Sequence, residues 1–452
     1  MKRFAWLGTI LGASATVLAT SLFACGSDDA NGSSSPVPAD DASTSSDATV
    51  VVDGGPARSF KLASGGVQLL VTGPEIGFQI TPANLATDTD VVEVHQEYYG
   101  VPWSAFAAGS TVPPEWNQKM QELAQAAIAT GKPMFLSITM LNGSRDSLAA
   151  ETTIDNGSVG STDHWAAHCY DFSTAADAAD MKKAYLAYVE YMVGVFKPAY
   201  LNIAVEVNLF FENCPTAAAG VVDLANAAYD TAKAREPSVV AFPLIQIDHL
   251  YGYSDACVGG ADGGTGARDA CFAANYAQID GLKRDRFAMS SYPALGPFTK
   301  ASDIPADWFS RGPAKKGEKA LVAETGWNSS NIVAQVKNVG CYTIFTDTEA
   351  DELAYLDFVL KSAEGQGIDV VNWWSDRDLV VSTFMTDCPC TFDNTWCAVL
   401  NQFRGPDPGA DASVDTQFFG EVLAKAFGNM GLRNYDGTQK PNVYARWQSA
   451  LS

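Results

Sequence analysis

The sequence has little positive charge and almost no histidine. Its 452 residues include 29 Lys and Arg against 52 Asp and Glu, a formal net charge of −23, and only 4 His. A chain this acidic lacks the basic face that phosphate backbones require, so we expect no nucleic-acid partner. The same balance disfavours anionic polymers as ligands and leaves neutral polysaccharides open.

Signatures of metal and cofactor binding are also missing. No Cys-x-x-Cys pair of the zinc type occurs, and His164 and His168, at i, i+4 spacing, lack the glutamate of the metalloprotease helix. No glycine-rich phosphate-binding turn follows the first strand candidate, as a dinucleotide fold would require. We therefore expect no metal and no cofactor.

Large apolar residues are scarce near the N-terminus, apart from one run. Lys2 and Arg3 precede a mostly apolar or small stretch that ends in Leu22-Phe23-Ala24-Cys25. This ending resembles a bacterial lipobox, so residues 1–25 are predicted to be a lipoprotein signal peptide with Cys25 as the lipidated residue. An ordinary signal peptide with an incidental cysteine is the alternative.

Residues 26–58 are rich in Ser, Asp, Ala, Gly and Pro and have almost no large apolar side chains. Such a segment cannot bury enough surface to offset its chain entropy, which predicts a disordered tether. We expect an exported cell-envelope lipoprotein on the periplasmic or cell-surface side. Its only membrane contact would be the N-terminal lipid.

Residues 59–452 are predicted to form one domain in which strand and helix patterns alternate. The strand candidates are 77–80, 91–95, 133–138, 200–208, 239–247, 286–291, 319–324 and 368–374. The helix candidates are 116–130, 175–195, 217–234, 272–282, 349–364 and 417–427. Eight strands alternating with helices favour an α/β fold, a closed (β/α)8 TIM barrel with long loops at its C-terminal face.

Cysteine usage fits an exported chain. Without Cys25, eight cysteines remain, and all of them fall in loops that follow predicted strands: Cys169, Cys214, Cys257, Cys271, Cys341, Cys388, Cys390 and Cys397. An even count in an exported protein predicts disulfides. Spacing alone does not fix their connectivity, but the strand map suggests Cys169–Cys214, Cys257–Cys271, and Cys341 with a member of the cluster after strand eight.

Polar and aromatic residues gather where the predicted strands end. Two apolar runs end in Glu206 and Glu324, and a carboxylate there is costly unless it has a function. Catalytic groups of this barrel come from the C-terminal ends of its strands. The pair therefore suggests the two carboxylates of a glycosidase. The other tip residues, which we predict to bind substrate, are His95, Glu97, Asn208, His249, Tyr292, Trp373 and Trp374.

A barrel with glutamates at the ends of its fourth and seventh strands resembles clan A of the glycoside hydrolases. The motifs are similar to those of arabinogalactan endo-beta-1,4-galactanases: Leu321 to Trp327, Glu206-Val207-Asn208, Ser290-Ser291-Tyr292-Pro293, and Gly431-Leu432-Arg433 with Lys440-Pro441. The resemblance implies Glu324 as nucleophile and Glu206 as acid/base. Tyr292 would hold the nucleophile by a hydrogen bond, and Trp373 or Trp374 would support a sugar ring.

One position departs from the clan, which usually has Asn directly before the acid/base, where this chain has Val205. Asn202 or Asn208 would then replace that amide, or the strand is in another register. We expect a monomeric, lipid-anchored, retaining, endo-acting glycoside hydrolase. The alternative is a non-catalytic glycan-binding lipoprotein on a degenerate barrel. A metal-dependent hydrolase would need clustered His and Asp ligands that the strand tips lack.

Overall fold

The computed structural model describes residues 58–67, 82–96, 101–138, 140–149, 151–155, 158–162, 167–254, 257, 265–296, 298–336, 340–388 and 416–452. The predicted signal peptide with Cys25, nearly all of the tether, Glu97, Cys390 and Cys397 lie outside these ranges. Within them, no helix combines the length and apolar character needed to cross a bilayer.

The chain contains the following strands: β1 (Lys61–Val67), β2 (Val91–Gln96), β3 (Met134–Ile138), β4 (Glu151–Asp155), β5 (Ser158–Thr162), β6 (Tyr200–Ala204), β7 (Val240–Gln246), β8 (Phe287–Ser291), β9 (Ala320–Thr325), β10 (Asn331–Val336), β11 (Gly340–Thr346) and β12 (Ile368–Trp373). Eight of them close a parallel barrel in the order β1-β12-β9-β8-β7-β6-β3-β2. The predicted fold class is therefore confirmed. The other four strands pair as two antiparallel hairpins, β4-β5 and β10-β11.

The prediction for the first strand was wrong. β1 is Lys61–Val67 and pairs with both β2 and β12, whereas residues 77–80 lie outside the described part of the chain. Its small residues hid it from a hydrophobicity pattern, but they are needed here. A Cβ on Gly65 would lie 2.0 Å from the carbonyl oxygen of Glu93 on β2, so only glycine permits this approach.

In the described part of the chain, the helices are α1 (Pro82–Asp88), α2 (Trp103–Ala108), α3 (Pro114–Ile128), α4 (Ala178–Phe196), α5 (Val207–Asn213), α6 (Ala218–Arg235), α7 (Ile247–Leu250), α8 (Thr265–Ile279), α9 (Glu349–Gln366), α10 (Thr416–Phe427) and α11 (Pro441–Leu451). Predicted helices 116–130, 175–195, 217–234 and 349–364 correspond to α3, α4, α6 and α9. The segment 272–282 begins earlier, as α8. The segment 417–427 corresponds to α10, and a further helix, α11, follows it.

Helix α9 shows how local sequence sets the boundaries of the element that precedes β12. Thr348 and Asp351 form a reciprocal capping box at its start, and acidic residues in the first turn favour the positive end of the helix dipole. Gly367 ends the helix in the left-handed region, with φ 69°. Strand β12 begins at the next residue, so the turn between them is short.

The barrel interior is filled by strand side chains that alternate with those facing the helices. A compact apolar cluster lies in the lumen: Ala63, Val91, Phe135, Val205, Phe242, Leu244, Ala288, Leu321, Ala323 and Val370. Because strand side chains alternate, residues two positions further along face the same side. Toward the C-terminal end these become polar and buried: Glu93, Ser137, Asn202, Ser290 and Asn372. The lumen therefore changes from apolar to polar just below the C-terminal face.

Candidate active site

Glu206 lies between strand β6 and helix α5, and its conformation is unusual. The predicted strand 200–208 was too long, because β6 ends at Ala204 and α5 begins at Val207. Glu206 has φ 48° and ψ 44°, a left-handed conformation that costs a non-glycine residue roughly 1–2 kcal/mol. The surrounding structure compensates for this cost, and it aims the side chain into the C-terminal face.

Both oxygens of the Glu206 carboxylate accept hydrogen bonds. Arg145 Nη2 donates to Oε2 at 3.1 Å, and Ser290 Oγ donates to Oε1 at 2.7 Å. The side chain is 14% exposed, so part of it remains accessible to solvent. This carboxylate is thus both oriented and accessible.

Glu324 lies within β9, one residue before its end, and is 7% exposed. The hydroxyl of Tyr292 donates to its Oε1 at 2.6 Å, so the hydrogen bond expected from the sequence is present. Gly326 follows closely, and a Cβ there would lie 2.8 Å from the carbonyl oxygen of Trp374. The absence of a side chain lets the end of the Glu324 strand pack against the end of β12.

A single strand end holds both glutamates. Ser290 is in β8 and binds Glu206, and Tyr292, two residues further on, binds Glu324. In the register of β8 and β9, Ser290 lies opposite Glu324. Neighbouring strands are about 4.8 Å apart, so the residue that binds Glu206 is directly beside Glu324.

The two adjacent tryptophans have different environments. Trp373 is fully buried, and its indole nitrogen donates to the carbonyl of Met430 at 2.9 Å. Trp374 is 7% exposed and packs edge-on against His95, with ring centroids 5.4 Å apart. The Trp374–Ser375 peptide bond is cis. Trp374, in the same apolar cluster as Tyr292, is therefore the member of the pair that borders the site.

Two other predicted binding residues, His95 and Asn208, are buried. His95 Nδ1 lies 3.0 Å from Glu93 Oε1 inside the barrel. The Asn208 amide donates to the carbonyl of Gln246 at 3.0 Å and accepts from its backbone nitrogen at 2.8 Å. Asn208 thereby fixes the end of β7 to α5. Glu97 lies outside the described residues.

His249, another predicted binding residue, has an acidic partner. Its Nδ1 lies 2.8 Å from Glu212 Oε2, and its main-chain nitrogen donates to Gln246 Oε1 at 2.8 Å. Burial alone lowers the pKa of His249, but Glu212, together with Asp248 and Glu206, outweighs it and raises this pKa. A cationic imidazole is thus favoured on the wall next to Glu206.

Arg145 and Ser290 are site residues that the sequence prediction missed. Arg145 lies in the long segment between β3 and β4, where no periodicity marks it. Ser290 reads as an ordinary strand residue, although the motif Ser290 to Pro293 already indicated the segment. The only signal for Arg145 is local: Asn142 and Gly143 before it predict a tight turn.

Disulfides tie the loops around this cleft in the predicted pattern. The structure contains Cys169–Cys214, Cys257–Cys271 and Cys341–Cys388, so Cys388 is the partner chosen from its cluster. His168 lies near the first bridge, close enough to form a three-ligand group with its two sulfurs. Since those sulfurs are bonded to each other, neither is a thiolate that could bind a metal ion.

Comparisons with solved structures find glycoside hydrolases of similar shape. GH5_18 of Bifidobacterium longum subsp. longum is 13% identical, with a TM-score of 0.47, over 82% of this chain and 71% of that one. An exo-beta-1,4-mannosidase from Opitutaceae bacterium strain TAV5 is 14% identical, with a TM-score of 0.47, over 88% of this chain and 61% of that one. The GH53 catalytic domain of Ignisphaera aggregans is 13% identical, with a TM-score of 0.44, over 83% of this chain and 89% of that one.

The chain matches no protein-family model and no curated protein. At the identities and scores given above, the solved structures assign no activity or substrate to it. Its function has to be argued from its own site, whose centre is the pair Glu206 and Glu324.

Proposed function

We propose that this chain is a retaining glycoside hydrolase that cleaves β-glycosidic bonds in a neutral polysaccharide. Glu324 is the nucleophile and Glu206 the acid/base. The observation that carries the proposal is the end of β8, where Ser290 binds Glu206 and Tyr292 binds Glu324. Glycoside hydrolysis requires two carboxyl groups, one on each side of the scissile bond, and these two oriented carboxylates would supply them.

The two glutamates have complementary roles. In the first step Glu324 attacks the anomeric carbon while Glu206 gives a proton to the departing oxygen. In the second step Glu206 takes a proton from a water molecule, which attacks the glycosyl–Glu324 ester and releases the sugar. Retention of configuration requires the carboxyl groups to be about 5–5.5 Å apart, and we expect that spacing here.

The chemistry of the wall supports a neutral substrate. The net charge of −23 repels acidic polymers, and Trp374 offers an aromatic edge at the border of the cleft. The motifs shared with galactanases favour an endo-acting enzyme of galactanase or glucanase type. Export and lipid anchoring at Cys25 are part of the proposal, because they would present a monomeric barrel to polymers outside the cytoplasm.

The second candidate is a glycan-binding protein without activity, and Val205 favours it. This residue packs in the lumen cluster, where the clan usually has an asparagine next to the sugar. The amides of Asn202 and Asn208 do not replace it, because they bond to Ser137 and to the main chain of Gln246. The cleft would then bind a glycan without hydrolysing it.

The test is release of reducing ends from a panel of neutral β-glycans by the full chain. Activity that disappears in Glu324→Gln supports the hydrolase. The matched control is Glu318→Gln, which changes a glutamate at the opposite end of the same strand, where it pairs with Arg284. Retarded migration in a glycan gel without any release by the wild type would instead support the binding protein.

A further inference from the structure

Arg145 is a buried arginine that bonds to the acid/base. It is 2% exposed and has φ 57°, again a left-handed conformation. Nη2 donates to Glu206 Oε2 at 3.1 Å, and Nη1 donates to the carbonyl of Asn142 at 3.0 Å. Burying a guanidinium is costly unless its partners are well placed, and Glu206 is an anionic partner 3.1 Å away.

The turn that carries Arg145 is fixed by its own side chains. Asn142 Oδ1 accepts from the main-chain nitrogens of Asp146 and Ser147 at 3.1 and 3.3 Å. The same side chain donates from Nδ2 to Asp146 Oδ1 at 2.7 Å. An asparagine that caps a turn in this way restricts the backbone on which Arg145 is mounted.

Helix α5 connects this turn to Glu206 a second time. The helix follows Glu206 directly, and at its other end Asn213 Nδ2 donates to the carbonyl of Ser144 at 2.9 Å. The next residue, Cys214, forms the disulfide with Cys169, whose main-chain nitrogen donates to the carbonyl of Asp146. Glu206 is therefore connected to Arg145 twice, directly by the ion pair and indirectly through α5 and the turn. Both side chains of the ion pair are held by the same connected segments.

The guanidinium then restricts where a proton can lie on the Glu206 carboxylate. An arginine side chain only donates, so Glu206 Oε2 has to accept from it. Oε1 faces the hydroxyl of Ser290, which can donate or accept. The proton of a neutral Glu206 is thus compatible with Oε1 and not with the lone pair of Oε2 that Arg145 occupies.

We propose that Arg145 is a positioning residue for acid catalysis, which keeps Oε2 as an acceptor and leaves Oε1 to deliver the proton. This inference rests on the proposed function. The proton leaves Oε1 for the glycosidic oxygen as the carbon–oxygen bond breaks and the bond to Glu324 forms. In the second half-reaction Oε1 recovers a proton from the attacking water.

The experiment compares two substrates that need acid catalysis to different extents. A phenyl β-glycoside has a poor leaving group and needs the proton, whereas a 2,4-dinitrophenyl β-glycoside of the same sugar does not. Because kcat/KM reports the first half-reaction, Arg145→Gln should lower it about a hundredfold for the phenyl glycoside, the size of a misplaced catalytic group. It should change little for the dinitrophenyl glycoside. Arg145→Lys should restore part of the loss, since it keeps the charge and loses the planar fork.

Arg284→Gln is the matched control, because Arg284 is equally buried and binds Glu318 at the far end of the barrel. Its thermal unfolding midpoint calibrates the loss of stability that comes from deleting a buried ion pair. An equal loss on both aryl glycosides in Arg145→Gln, or none, overturns the inference and leaves the proposed function intact. If Arg145→Gln does not fold, the same comparison is made in Arg145→Lys. A loss of kcat/KM that is larger for the phenyl than for the dinitrophenyl glycoside then supports the inference, and an equal loss overturns it. A wild type inactive on both aryl glycosides and on the glycan panel overturns the proposed function and this inference with it.

Discussion

Asp248 is a buried carboxyl that the proposed reaction does not use. It follows β7, and its surroundings include Ser291 and the main chain of Tyr292, the residue that holds Glu324. Burial raises the pKa of Asp248 to about 6, against an ordinary value of 3.8. The folded state therefore binds this proton more tightly than the unfolded chain does. Its contribution to stability is complete below the unfolded value and is lost as the pH rises through the folded one.

Replacing Asp248 with asparagine should remove this dependence on pH. Relative to that of the wild type, the free energy of unfolding of Asp248→Asn should increase by about 2–3 kcal/mol between pH 4 and pH 7, because only the wild type loses stability over this range. Urea unfolding of both proteins at the two pH values measures the difference. A difference that stays constant over this range would show that Asp248 does not titrate there.

The residues of the site were predictable where a strand directs them and hidden where a loop supplies them. Glu206, Glu324 and Tyr292 follow apolar runs, and residues at the end of β8 contact both glutamates. Arg145 could not be found in this way, because its place depends on a turn, a helix end and a disulfide that come from separate segments. Adjacent strand residues face opposite ways, so one tryptophan of the pair is expected to pack in the core. The structure shows that this residue is Trp373, which is fully buried and bonds to the carbonyl of Met430.

At the scale of elements, hydrophobicity patterns located strands that are buried on one face or on both, and they missed or misplaced the others. Seven barrel strands were located within a few residues, since their apolar runs are short and bounded. β1 was missed because a close approach to β2 requires glycine where a strand usually has a large side chain. The hairpin β10-β11 was missed because β11 is largely exposed. β6 was predicted too long because α5 continues its apolar run with Val207, Phe210 and Phe211 buried.

The disulfides give a prediction at the same scale. Replacing Cys169 and Cys214 with serine should lower kcat/KM in the same way as Arg145→Gln, more for the phenyl than for the dinitrophenyl glycoside. The reason is that this bridge supports the turn that carries Arg145. Removing Cys257–Cys271 should not change the ratio of the two rates. The bridges close loops of 45 and 14 residues, so each loss should reduce stability by roughly 2–5 kcal/mol.

Thermal unfolding and the two kcat/KM values of each double-serine variant test this prediction. A loss of stability in both variants with a changed rate ratio only in the first is the expected result. The same rate ratio in both variants would show that the first bridge stabilises the barrel without acting on Glu206.

At the scale of the whole molecule, anchoring and folding should be separable. The barrel contains its own core, and its first strand begins at Lys61, after the predicted tether. Cys25→Ser should therefore move the protein from the membrane fraction to the soluble fraction and leave the unfolding midpoint unchanged. Fractionation of cells followed by thermal unfolding measures both properties. Unchanged membrane association would show that Cys25 is not the anchor.

The central claim is that Glu324 becomes covalently bonded to the sugar during the reaction. Activated 2-deoxy-2-fluoro β-glycosides trap such an intermediate. The fluorine slows both its formation and its hydrolysis, and the good leaving group offsets the effect on formation only, so the intermediate accumulates. Peptide mass spectrometry of the full chain after this treatment should find one fluoroglycosyl group, on the peptide that contains Glu324, and none in Glu324→Gln. Hydrolysis of the parent glycoside with the label on another residue, or with no label at all, would contradict the account.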